Sequence, residues 1–94
     1  MSDVVVEKPP YRFVRAVWLD AYSEDEWKDV ESYELTDYVV ESYGYLVREN
    51  KNYYLLAPNL GRNDGRWEAG CIMGIPKKMV LEMDSFPKTE TNAA

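Results

Sequence analysis

Arg62 and Arg66 stand in a stretch dense in turn formers, residues 59–66 (Asn-Leu-Gly-Arg-Asn-Asp-Gly-Arg), with Trp67 directly after it and Lys77 and Lys78 at the next turn. Arginine offers planar, two-pronged contacts to phosphate, and an indole offers a face on which a nucleobase or another arginine stacks. Arg62, Arg66, Trp67 and Lys77 are therefore the candidate ligand-binding set, suited to a nucleotide-like small molecule. Solvated loop charge and a core tryptophan explain the same residues more simply, because Gly-Arg-Asn-Asp-Gly-Arg is not a phosphate-loop motif. The base of this loop and the Pro76 turn need not be neighbours in one chain, so a site shared between subunits of a homo-oligomer is as plausible as one within a chain.

Other chemistries find less support. The chain has no histidine and one cysteine, Cys71, which removes the usual zinc sets, an internal disulfide and the commonest general base. Cys71 lies in Ala-Gly-Cys-Ile-Met, an apolar context that predicts a buried, inert thiol. Carboxylates are plentiful, but Asp25, Glu26 and Asp29 fall in a solvated acidic run with nothing to separate one pKa from another, as acid–base work requires. Asp20 suits a bond to a nearby amide, turning the chain, better than a ligand contact. Residues 63–65 lack calcium-loop spacing. No catalytic residue, metal or cofactor is expected, and the chain does not read as an enzyme.

The 94 residues, 46% hydrophobic and 14% aromatic, suit one small domain and lie far from the composition of disordered chains. The net charge of −6 is unevenly placed. Residues 1–47 hold eleven acids against four bases, and residues 48–94 hold seven bases and six acids. Such a surface repels nucleic-acid backbone and predicts no general nucleic-acid binding. No apolar run approaches the roughly 20 residues of a membrane span, and the first ten residues lack signal-peptide features. A soluble, cytoplasmic protein with no membrane role is expected.

These residues need elements to position them, and the organising stretch is 43–60, two aromatic and branched runs separated by Arg-Glu-Asn-Lys-Asn, the pattern of a β-hairpin. Before it, Phe13, Arg15, Val17 and Leu19 alternate with Val14, Ala16, Trp18 and Asp20, so one strand presents two partly apolar faces. Ser23-Glu24-Asp25-Glu26 has the form of a capping box, with Tyr22 and Trp27 at the positions of a hydrophobic staple. A helix over 24–32 is predicted, with Trp27 packed near Trp18. A strand over 36–50 has Gly44 inside it, which marks a bulge or bend. A return strand over 53–57 stops at Pro58, a loop spans 59–66, a strand covers 67–75, and a short strand follows the Pro76 turn. The fold class is α+β, mainly β: a small, strongly bent antiparallel sheet or SH3-like barrel of about five strands, with one short helix after the first strand. Residues 1–10 are an N-terminal tail, 11–84 one β-rich domain and 85–94 a flexible C-terminal tail.

Trp18-x-Asp20-Ala21-x-Ser23-x-x-x-Trp27, Tyr43-Gly44-Tyr45-Leu46-Val47 and Ile75-Pro76-Lys77 together resemble a group of small uncharacterised bacteriophage and prophage proteins, over roughly residues 14–83. The resemblance implies a non-enzymatic phage accessory protein in a bacterial cytoplasm, an anti-defence inhibitor that sequesters a nucleotide-like signal or binds a host defence protein. The alternative is an assembly module of a virion or replication complex that docks through its acidic helix.

Overall fold

The computed structural model describes residues 4, 6–21, 26–34 and 36–87. Seven strands are present among the described residues: β1 (Arg12–Leu19), β2 (Val39–Glu49), β3 (Tyr53–Ala57), β4 (Asn59–Asn63), β5 (Arg66–Gly70), β6 (Met73–Pro76) and β7 (Val80–Phe86). Five form one antiparallel sheet in the order β6-β3-β2-β1-β7, and β4 and β5 form a separate two-stranded ribbon. The five-stranded sheet is open, so of the two forms expected from the sequence, bent sheet or SH3-like barrel, it is not a closed barrel: β6 and β7 are its edges, joined by a 3-10 turn over Lys77–Met79 rather than paired with each other.

Alternation along β1 divides this sheet into two faces. Val14, Ala16 and Trp18 are buried. Their partners on β2 are Gly44, Ser42 and Val40; Val14, Ala16 and Trp18 with Leu56 and Ile75 make the core cluster, against which Val40, Leu46, Tyr54, Val80 and Met83 pack. The core is narrow, so each of its members carries a large share of the stability. Trp18 has a polar anchor as well, its Nε1–H donating to Ser42 Oγ at 3.0 Å.

The β2–β3 hairpin expected from the sequence is present, and Asn50 closes it. The Asn50 side-chain oxygen accepts from the amides of Asn52 and Tyr53, both at 2.8 Å, a local bond that asparagine forms readily in turns. Gly44 plays a different part from the bulge expected of it. The extra residue of β2 is Val47, where the register with β3 shifts between Leu46 and Arg48. Gly44 is where the backbone of β3 comes close: a Cβ there would lie 2.9 Å from the Ala57 carbonyl oxygen.

Two expectations need correction. Residues 26–34 contain no helix, only a turn at 30–32, while the proposed cap Ser23 and its neighbours Tyr22, Glu24 and Asp25 lie outside the described residues. Trp27 and Val30 are exposed, so the short apolar stripe meets no core, and a helix of this length has little stability without packing. Trp27 is thus not a core partner of Trp18. The base of this segment is closed instead by the Asp20 amide, which donates to the Tyr38 carbonyl at 2.9 Å.

The second correction concerns 59–66, which is not a loop. It holds β4 and a two-residue turn in which Asp64 and Gly65 both have positive φ, 53° and 76°. That is the backbone of a type I′ hairpin, for which Asp-Gly is a favoured pair. β7 continues through Ser85 and Phe86.

Candidate binding surface

The ribbon brings two of the four sequence-selected residues together. Arg62 and Trp67 are cross-strand partners, and the Arg62 guanidinium carbon lies 5.3 Å from the Trp67 ring centroid, within cation–π range. Arg62 also forms an ion pair with Glu7. Arg66 pairs with Asn63, and as the neighbour of Trp67 on an extended strand it occupies the opposite face of the ribbon. Lys77 lies away from the ribbon, at the start of the 3-10 turn that joins the edge strands of the five-stranded sheet. Its ammonium lies 2.6 Å from Glu49 Oε1 and 4.8 Å from the Tyr54 ring centroid, and it lines a shallow groove of about 310 Å³ with Lys51, Tyr53 and Lys78. The set therefore divides among three places: Arg62 with Trp67, Arg66 across the ribbon, and Lys77 by the 3-10 turn. Cys71, expected to be buried, is exposed. Asp20 does bond a nearby amide, its Oδ1 accepting from Ala21 at 2.8 Å.

A second constellation, missed by the sequence reading, occupies the outer face of the five-stranded sheet. β1 lies between β2 and β7, and the registers stack its outward residues in rungs: Tyr45–Phe13–Phe86, then Tyr43–Arg15–Asp84, then Glu41–Val17–Glu82. The first rung and Tyr43 form an aromatic cluster. Phe13 meets Tyr45 edge-to-face at 5.1 Å, and Phe86 lies 6.4 Å from both Phe13 and Tyr43, spacings at which ring pairs attract. Tyr43 and Phe86 nevertheless remain 51% and 37% exposed.

The lower rungs place one cation among three carboxylates. Arg15 Nε donates to Glu41 at 2.8 Å, and Nη1 donates to Asp84 at 2.7 Å and to Glu82 at 3.0 Å. These bonds, from Glu41 first and then Glu82 and Asp84, raise the Arg15 pKa further, so the guanidinium stays charged throughout the accessible range. Arg15 in turn holds the Glu41 carboxyl below its ordinary value, by hydrogen bonding first and by charge second, and the Tyr43 hydroxyl adds a bond at 3.2 Å. Among the described residues no group of three histidine, cysteine or carboxylate side chains is arranged to hold a metal ion. Nor, among them, is any helix long and apolar enough to cross a membrane.

Comparison with protein-family models, curated proteins and solved structures finds no match. The functional reading rests on the geometry.

The Glu41 shift fixes the sign of a pH effect. A carboxyl whose folded-state pKa is depressed contributes stability that is fully present above its unfolded pKa and is lost as pH falls through the folded one. The denaturation midpoint is therefore expected to fall on acidification below the ordinary carboxylate range. Glu41→Gln should flatten that part of the profile, and a variant profile parallel to the wild type would show that Arg15 does not hold Glu41 in solution.

Proposed function

We propose that the protein is a non-enzymatic binding module that engages another polypeptide through the outer face of its five-stranded sheet. The observation that carries this reading is the aromatic cluster Phe13–Tyr43–Tyr45–Phe86, contiguous across three strands and partly exposed. Isolated apolar residues are ordinary on a protein surface, whereas contiguous patches are typical of interaction sites. Tyrosine, phenylalanine and arginine are also the residues enriched where proteins meet. In the phage setting suggested by the sequence resemblance, the partner is a host defence protein, held in the bacterial cytoplasm and blocked by occupancy. The strand order and the 3-10 turn between the edge strands fit an SH3-like arrangement, an analogy of scaffold alone. Docking through an acidic surface, first placed on a helix, is moved in this reading to the sheet.

The test is a photo-crosslinking amino acid placed at Tyr43 or, in a separate variant, at Arg62, each expressed in host cells. A discrete adduct from position 43, absent from position 62, is expected. An adduct from position 62 with none from position 43 would move the working surface to the ribbon.

A second reading, sequestration of a nucleotide-like anion, has one observation in its favour, the Arg62–Trp67 stack. Because Arg62 is already engaged by Glu7, an anion must displace a carboxylate to use it. Arg62→Ala should then weaken a bound nucleotide by about tenfold or more, given roughly 1.5–3 kcal/mol for a charge-assisted contact. Thermal-shift titration with nucleotides reads this directly, since only a native-state ligand raises the melting temperature. Nucleotides that leave the melting temperature unmoved would remove this reading.

A further inference from the structure

We infer that the occupant of the outer face is a basic polypeptide segment, with an apolar side chain on the aromatic rung and arginine or lysine on the acidic rung. The inference rests on the polypeptide-binding reading above and adds the chemistry of the partner. Around Arg15 one positive charge meets Glu41, Glu82 and Asp84, which leaves a surplus of two negative charges beside the aromatic cluster. Glu41 and Glu82 remain 49% and 59% exposed at the side chain, so each retains oxygen lone pairs that Arg15 does not fill.

Charge decides among the occupants. A second copy on this face would bring together two surfaces that carry the same negative surplus, which is repulsive, and phosphate is rejected for the same reason. An arriving guanidinium gains two-pronged contacts to the free carboxylate oxygens and a ring face at Tyr43. Spacing adds a further condition. Phe13 and Val17, the centres of the aromatic and acidic rungs, are four residues apart on β1, roughly 13 Å at strand rise. An extended partner therefore presents its apolar and cationic side chains four residues apart.

The probe is a threonine-rich synthetic peptide carrying two leucines and, four residues beyond each, an arginine. It is compared with counterparts in which glutamine or glutamate replaces both arginines. Each is titrated into isotope-labelled full-length protein and followed by amide chemical shifts. The arginine peptide is expected to perturb β1, β2 and β7 around Arg15 and to bind at least tenfold more tightly than the glutamine peptide, with an advantage that shrinks as salt rises. The double substitution Glu82→Lys and Asp84→Lys should turn the preference toward the glutamate peptide, and Tyr43→Ala, at an exposed position, should weaken all three peptides without unfolding the chain. Equal affinity for the arginine and glutamine peptides at this face would overturn the basic-partner inference and leave the polypeptide-binding reading standing. Perturbations confined to the ribbon, or none from any peptide, would overturn both. Self-association through this face, seen as concentration-dependent shifts of the same amides, would replace the basic segment by a second copy.

Discussion

Trp18→Ala is expected to leave the chain largely unfolded. Trp18 is 8% exposed and is the largest side chain of the buried core cluster, and truncating a buried tryptophan costs about 3–5 kcal/mol through lost transfer energy and the cavity left behind. It also strips Ser42 Oγ of its donor. Domains are stable by about 5–15 kcal/mol, and one whose described core is so narrow belongs near the lower limit. The loss is thus comparable to the whole. Trp27→Ala provides the contrast, since Trp27 is fully exposed and surface changes stay within about 0.5 kcal/mol. Urea denaturation followed by far-ultraviolet circular dichroism separates the two. A folded Trp18→Ala beside an unfolded Trp27→Ala would reverse the assignment of the core.

Gly44→Val is the second large effect. Replacing glycine inside a strand ordinarily gains about 0.5–1 kcal/mol of backbone entropy, and valine is a favoured strand residue. Against that gain, a Cβ at Gly44 would stand 2.9 Å from the Ala57 oxygen and 3.0 Å from its carbonyl carbon. Both are backbone atoms, so relief requires β3 to move. Overpacking of this kind costs about 1–3 kcal/mol and occasionally more, and the branched side chain belongs at the upper end. A net loss of about 2 kcal/mol or more is expected, read as a lowered urea midpoint with unchanged slope. A raised midpoint would show that β2 and β3 do not approach as closely as described.

What the sequence made legible was local. The alternation of Phe13, Arg15, Val17 and Leu19 with Val14, Ala16 and Trp18 announced β1 and its two faces, and the paired runs around 43–57 announced the β2–β3 hairpin. The capping box at Ser23 misled because capping says where a helix starts, whereas persistence needs a packed face, and Trp27 and Val30 have none. The strand β4 was hidden because Leu60 is its only large apolar residue, although Asp64-Gly65 already carried the turn. Of the candidate site, Arg62 and Trp67 meet because a two-residue turn pairs them, while Arg66 and Trp67, being adjacent on a strand, face opposite ways. Of the outer-face constellation, only the shared face of Phe13, Arg15 and Val17 on β1 was legible, and its grouping with residues of β2 and β7 was not. Arg15 draws its carboxylates from positions 26, 67 and 69 residues away, and only the registers of β2 and β7 reveal that they share a face. The spacings Glu41-x-Tyr43 and Glu82-x-Asp84 were the available hints, since residues two apart on a strand point the same way.

The claim that the outer face is a docking surface, separate from the core, is tested most directly by the double variant Tyr43→Ser/Phe86→Ser with a photo-crosslinker at Val39, which is exposed and paired with Leu19 in the next outward rung below Val17. Ring pairs of this kind contribute about 0.5–1.5 kcal/mol each, so the variant should stay folded with a lowered melting temperature. The adduct that Val39 gives in the otherwise unsubstituted chain should disappear. A double variant that unfolds, or one that stays folded and forms the same adduct undiminished, would contradict the account.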